Sequence, residues 1–354
     1  MGAGRLTPRY RRGLVVGKFA PLHLGHEALI RRALDQCHEV VVLSWSNPEI
    51  PGSEPERRER WLHDRFPTVR AIVLAQERMN DLPPDAPRHL PRNDADPPEL
   101  RQFCAKILSS LTVEPIDAVF TSESYGDAFA RHLTAFYRQH EEDTAEVAHV
   151  LVDPDRIAVP ISGTQLRSDL HALRHFLAPS VYASFVVRVC LLGGESSGKS
   201  SLAAALASHF GTIQVEEYGR DLWEERDGRL GFEDLLRIAE TQISREETAL
   251  RSANQFLFCD TSPLTTLHYS HVLFSRADPR LEQLADRNYP RVVLCAPDFD
   301  FVQDGTRLDA TFRARQHAWL LAELARRKTP YFLAEGPLPL RVEAVARWLV
   351  ERGS

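Results

Sequence analysis

The chain has 354 residues, 43% hydrophobic and 26% charged, a soluble globular composition sized for about two domains of roughly 100–200 residues each. A formal net charge of -6 supplies no global field favouring nucleic acid or an anionic membrane, so a polyanionic ligand must be held by local Lys, Arg and backbone N–H groups. Five scattered cysteines without a C-x-x-C pair fit reduced thiols in the cytoplasm better than a disulfide framework or a zinc site.

Residues 1–12 are basic but lack the apolar core of a secretory signal, and Leu6 stands where myristoylation wants Ser or Thr; the segment reads as a flexible arm. No apolar stretch reaches the ~20 residues needed to span a bilayer, so no membrane partner is expected. Short apolar runs then alternate with amphipathic ones, the pattern of an α/β fold. Strands are expected at 14–16, 40–44, 71–74, 118–121 and 149–152, with helices at 26–36 and 56–64 among them. The proline-loaded segment 81–98 reads as a loop or lid-like excursion. A helix over 168–176 is expected to close the first domain, and a connector around Pro179 puts the boundary near residue 180, giving domains 13–180 and 181–354. Further strands are expected from Val186 into the next glycine loop and at 213–215, 256–259, 292–295 and 331–334.

Directly after the first strand stands Gly17-Lys18-Phe19-Ala20-Pro21-Leu22-His23-Leu24-Gly25-His26. His-x-Gly-His places two imidazoles at a helix start, with Gly25 permitting close approach and Lys18 adding charge: a phosphate-handling site, framed by Gly17 and Phe19. Ile161-Ser162-Gly163-Thr164-Gln165-Leu166-Arg167 opens another helix with small residues and an Arg one turn in. It reads as a second anion site, or alternatively as a simple helix cap.

The run Gly193-Gly194-Glu195-Ser196-Ser197-Gly198-Lys199-Ser200, entered from a strand and left through an Ala/Leu-rich helix beginning with Ser201, is a P-loop. Its N–H groups converge on ATP phosphates, Lys199 reaches the β/γ-phosphates, and Ser200 is a Mg²⁺ ligand. Asp260, ending the apolar strand 256–259, has the Walker-B position and is the second metal ligand. Glu216-Glu217-Tyr218-Gly219-Arg220 is where a small-molecule kinase presents substrate ligands: Glu217 for a hydroxyl, Tyr218 for a flat ring, Arg220 for charge. A solvated turn is an equal alternative for each residue singly. Asp304-Gly305-x-Arg307 leads to Arg313 and Arg315, which suit a lid closing on the transferring phosphoryl group, with surface ion pairs as the alternative.

The His23/His26 and Ser162–Arg167 motifs together resemble the nucleotidyltransferase superfamily, with its H-x-G-H and I-S-x-T-x-x-R motifs on a Rossmann-like sheet, and the second half resembles ribosylnicotinamide kinases of nucleoside-kinase-like P-loop fold. Both in this order over residues 13–350 resemble the bifunctional NadR type, supported by Thr121–Gly126, Val152–Arg156, Thr265-Thr266 and Asp304-Gly305. The resemblance implies a kinase making nicotinamide mononucleotide from nicotinamide riboside and ATP, and an adenylyltransferase making NAD from it. Lys18, His23, His26 and Arg167 would neutralise charge in one site; Lys199, Mg²⁺ on Ser200 and Asp260, and Arg313 would do so in the other, with Phe301 and Asp304 touching substrate. Departures are Ser262, where relatives often carry Asp; Phe301, where they tend to carry Trp; and the lack of a Trp in 81–98. Trp61, in Arg58-Glu59-Arg60-Trp61, resembles a separate family position. With only 1–12 before the first strand, no helix-turn-helix module and no operator binding are expected; homo-oligomer formation is left open. Two alternatives stay open: another nucleoside as substrate, or a first domain that senses NAD or ATP without catalysis.

Overall fold

The computed structural model describes residues 8–111, 114–139, 144–303 and 308–352, and the chain divides into two compact units, 1–184 and 185–354. Each is built on a five-stranded, all-parallel sheet covered by helices. Strands buried on both faces must be continuously apolar, and Leu14-Val15, Val40–Leu43 and Val189–Leu192 are buried runs of this kind.

In the first unit β1 (Tyr10–Gly17), β2 (Cys37–Ser44), β3 (Arg70–Val73), β4 (Ala118–Thr121) and β5 (Ala148–Leu151) lie in the order β3-β2-β1-β4-β5. This doubly wound order reverses between β1 and β4, so a crevice opens where their C-terminal ends diverge. Crossovers are made by α1 (Leu24–Gln36), α2 (Pro55–Arg65), α3 (Pro97–Leu111) and α4 (Gly126–Arg138). Phe129, Leu133 and Tyr137 form an i, i+4 stripe on α4 that packs with Phe103 and Ile107 of α3 against Leu14, Val41 and Val119 of the sheet.

Two expectations are corrected here. Segment 81–98 is irregular, but it is not lid-like: Ala86 and Leu90 are buried in the core. The amide of Asn47 donates to Leu90 O (2.8 Å), and Asn93 N donates to Asn47 O (2.7 Å). The continuous helix expected over 168–176 is reduced to turns and a short 3₁₀ helix at Arg174–Phe176. Ser162 caps α5 (Gly163–Ser168) instead, and Asp169 leaves helical geometry (φ -153°, ψ 78°). Its carboxylate accepts from Ala172 N at 3.0 Å, a local bond that competes with helix propagation. A one-turn helix, α6 (Pro179–Tyr182), then starts on its proline.

In the second unit β6 (Val187–Leu192), β7 (Gln214–Val215), β8 (Phe256–Asp260), β9 (Arg291–Cys295) and β10 (Phe332–Ala334) run in the order β10-β9-β6-β8-β7. Here β6 is central, flanked by β8 and β9, so its C-terminal end is the switch point. The helices are α7 (Lys199–His209), α8 (Tyr218–Glu225), α9 (Phe232–Ala249), α10 (Pro263–Phe274), α11 (Pro279–Ala285), α12 (Ala310–Arg326) and α13 (Leu338–Glu351). Leu202 and Leu206 of α7 and Leu349 of α13 close the core over Leu191, Phe258 and Val293.

Candidate functional site

Each switch point opens into a cavity. In the first unit its volume is about 490 Å³, and its walls include Lys18, His23, His26, Asn93, Arg156 and Arg167. The end of β1 turns through Phe19 (φ 48°) into α1, whose N-cap is His23. His23 Nδ1 accepts from Gly25 N (3.1 Å) and His26 N (3.4 Å), while His26 Nδ1 accepts from His23 N at 3.5 Å. A ring whose Nδ1 accepts carries its proton on Nε2 when neutral. The two rings stack at 3.7 Å between centroids, and Phe19 packs edge-on against His26. A Cβ on Gly25 would lie 3.0 Å from the His23 ring, so any larger residue would have to push the imidazole aside.

Burial, with Arg156 and Arg167 adding repulsion, pushes the His23 pKa down to about 4. Burial and the neighbouring His23 hold His26 well below the usual imidazole range as well. Both rings are therefore neutral near pH 7; His23 presents Nε2–H as a donor, and the His26 ring also bonds the Pro21 backbone. Arg167 donates to Ala20 O (2.8 Å) and Thr164 Oγ1 (3.1 Å), and a Cβ on Gly163 would stand 3.1 Å from its Nη1 and 3.9 Å from His23 Nε2. Thus α5 delivers Arg167 to the histidines. Ser162 caps that helix through Gln165 N (3.2 Å), so its hydroxyl is already engaged. Lys18 donates to Asn93 O (3.2 Å); burial and the nearby Arg167 lower its pKa, opposed by Asp94.

Four contributors were not assigned roles from sequence. Asn93 holds Lys18 from the irregular segment. Arg156 reaches the cavity from a loop tied by Asp153, whose carboxylate accepts from the amides of Ile157, Ala158 and Val159; it pairs with Glu123 at 3.2 Å. Arg58, fully buried, is bidentate to Glu49 and donates to Ser44 Oγ (2.9 Å), which in turn bonds Lys18 O. Trp45 supplies an aromatic wall. Trp61, by contrast, is buried and bonds Ser184 Oγ through its indole (2.9 Å).

In the second unit a cavity of about 250 Å³ is lined by loop residues Glu195 to Ser201, by Glu217 and Arg220, and by an apolar wall that includes Trp223, Leu230 and Ile238. Gly198 (φ 81°) turns the loop into α7. A Cβ on Gly194 would come within 2.8 Å of Arg313 O, so the loop and the start of α12 touch backbone to backbone. Lys199 Nζ folds onto the loop carbonyls of Gly193 (3.2 Å) and Gly194 (3.1 Å). Arg313 donates to Phe299 O (2.9 Å) and stands 5.5 Å over the Phe301 ring, bringing its guanidinium to the loop. Glu195 engages its carboxylate with Tyr269 Oη (2.8 Å) and Leu308 N (2.7 Å), so its side chain ties α10 to the segment just before α12. Behind the loop, buried Arg341 donates to Ser197 O (2.8 Å), Ala296 O (2.9 Å) and Gly336 O (2.7 Å) and pairs with Asp298.

Asp260 is 3% exposed, and its Oδ1 has no partner among the described residues. An orphaned buried carboxylate oxygen, on the strand next to the one that feeds the P-loop and its Ser200, fits Mg²⁺ completed by phosphates and water. No cluster of three His, Cys, Asp or Glu able to hold a metal occurs among the described residues. Burial raises the Glu217 pKa; Lys199 opposes this and Asp260 reinforces it. Tyr218 is corrected: its ring is buried with Leu222 and Ile238 beneath Arg245, 4.5 Å from the ring centroid, and the aromatics on the cavity wall are Trp223 and Tyr269. Phe301 is half-buried and outside that wall. Asp304 lies outside the described residues. Ser262 caps α10 by accepting from Leu264 N (3.3 Å).

Two parallel α/β units, each ending at its switch point in an anion-binding turn, define a nucleotide-handling protein with a P-loop half. Residues 188–341 match the AAA domain family. The chain is 30% identical over 344 residues to the trifunctional NAD biosynthesis/regulator protein NadR of Escherichia coli K12, covering 90% of this chain and 77% of that protein. The Salmonella typhimurium LT2 protein of that name is 28% identical over 341 residues. The chain belongs to the NadR family. Solved structures of NadR in complex with NAD and AMP-PNP, and with NR, share the fold at TM-score 0.64, with 19% and 20% identity over 98% of this chain.

Proposed function

We propose that the second unit transfers the γ-phosphoryl of ATP to the 5′-hydroxyl of nicotinamide riboside, and that the first joins the resulting mononucleotide to the AMP part of ATP, giving NAD and pyrophosphate. The observation that carries this reading is the presence, in one NadR-family chain, of two separate switch-point cavities, each with its own cations on a strand–turn–helix. Both reactions are in-line displacements at phosphorus, so orientation and charge neutralisation are the main tasks.

In the kinase site Lys199 exchanges its two loop carbonyls for phosphate oxygens, and Arg313 reaches the same loop from α12. Asp260 and Ser200 would hold Mg²⁺, which supplies further neutralisation of the phosphates. Glu217, beside Lys199 and raised by burial, accepts the proton of the attacking hydroxyl. In the adenylyltransferase site the neutral imidazoles of His23 and His26 donate to the triphosphate, and Lys18 and Arg167 add positive charge as pyrophosphate leaves.

The test is chromatography of products from ATP, Mg²⁺ and nicotinamide riboside. Mononucleotide followed by NAD is expected. Lys199→Ala should stop the first step while NAD still forms from supplied mononucleotide, and His26→Ala should do the reverse. Loss of both steps in either variant, with the fold intact by circular dichroism, refutes two independent sites.

A further inference from the structure

We propose that the hydroxyl of Thr265 reads a sugar hydroxyl of the phosphoryl acceptor, making the second unit selective for ribonucleosides over deoxynucleosides. This deepens the kinase reading above and rests on it. Thr265 lines the cavity beside Lys199 and Glu217, is 4% exposed, and its Oγ1 has no hydrogen-bond partner among the described residues. A buried hydroxyl without a partner is costly, and native structures seldom leave one unless a ligand or water completes it.

Local geometry explains why the hydroxyl is left over. A helical Thr commonly donates to the carbonyl four residues back. For Thr265 that carbonyl belongs to Thr261, which has φ 86° and so stands outside the helix, and whose oxygen is met by the Cys190 thiol at 3.6 Å. The Thr265 amide is already spent on Ser262 O (3.0 Å). The side-chain hydroxyl therefore has no partner among the described residues, although the amide beside it is used.

Position identifies the group it meets. Thr265 is in the first turn of α10, directly beyond the carboxylate end of β8, whose register places Asp260 beside Leu191 of the strand that feeds the P-loop. It is thus at the phosphate end of the cavity. The same cavity has apolar lining in Trp223, Leu230, Leu235 and Ile238, suited to a flat base. A nucleoside with its 5′-hydroxyl at Glu217 and its base against Trp223 brings its sugar to Thr265. The carboxylate that could otherwise bind such a hydroxyl is absent, since residue 262 is a serine spent on capping α10.

The test compares kcat/KM for nicotinamide riboside and its 2′-deoxy and 3′-deoxy analogues in the full chain, Thr265→Val and Thr265→Ser. The parent should prefer the riboside over one of the analogues by about tenfold, the scale of one buried hydrogen bond. Thr265→Val should erase that preference by losing rate on the riboside alone, with KM for ATP unchanged; Thr265→Ser should restore it. Retained preference in Thr265→Val, or an equal fall on all three substrates, overturns the assignment while leaving the kinase reading intact. A parent chain that phosphorylates none of the three overturns both.

Discussion

The first prediction concerns the stacked imidazoles. His23 is 5% exposed, and its pKa falls from the ordinary 6.5 to about 4, chiefly through burial. The unfolded chain therefore binds a proton at His23 between these values that the folded chain refuses. Its neutral-state advantage is full above pH 6.5 and is lost as pH falls towards 4. At ~1.4 kcal/mol for each tenfold change in proton affinity, lowering the pH from 7.5 to 4.5 should cost the first unit roughly 2.5 kcal/mol through this one group. His23→Asn keeps an N-cap acceptor for the amides of Gly25 and His26 but cannot titrate. Hydrogen-exchange mass spectrometry on peptides spanning residues 10–36, converted to opening free energies at the two pH values, isolates this unit. The parent should lose roughly 2.5 kcal/mol more than His23→Asn. Parallel losses in the two proteins would mean that His23 is not held neutral by burial.

Arg341→Met removes the cation that holds Ser197 O, Ala296 O and Gly336 O and strands Asp298; the second unit should lose about 3 kcal/mol in urea unfolding and bind ATP more weakly. Gly194→Ala pushes a methyl to 2.8 Å from Arg313 O, so the loop must shift, and isothermal titration should show ATP affinity reduced at least ~10-fold with the first unit's ligand unaffected. Asp260→Asn keeps the shape but removes the one protein charge assigned to Mg²⁺; phosphoryl transfer should fall by about 100-fold or more, and the Mg²⁺ concentration for half-maximal rate should rise.

What the sequence disclosed follows the range over which each piece of chemistry acts. The P-loop and His23-x-Gly25-His26 were legible because a phosphate cradle at a helix start needs consecutive residues, and the strands because sheets buried on both faces need unbroken apolar runs. Arg341 was not legible: it meets the loop it supports across 144 positions of sequence. Arg58, Asn93 and Arg156 likewise acquire meaning only when the fold brings a hydroxyl, a lysine or a carboxylate beside them. Tyr218 was open to a better reading, since Tyr218 and Leu222 share one helix face by i, i+4 spacing and the face with Leu222 is the buried one. The helix over 168–176 was interrupted at Asp169, which leaves helical geometry while its carboxylate accepts from Ala172 N.

The ties on segment 81–98 bear on how this protein can change over time. Proline-rich surface stretches usually accept insertions and deletions freely. Here Leu90 is clamped by the Asn47 amide and Asn93 by the Asn47 carbonyl, and the next acceptor along, Asn93 O, holds the Lys18 ammonium. Length between Leu90 and Asn93 is therefore as constrained as any catalytic side chain, since one added residue would withdraw the carbonyl from the lysine. Drift in length is expected to collect upstream, over the exposed stretch at Asp85, and to stop short of Leu90.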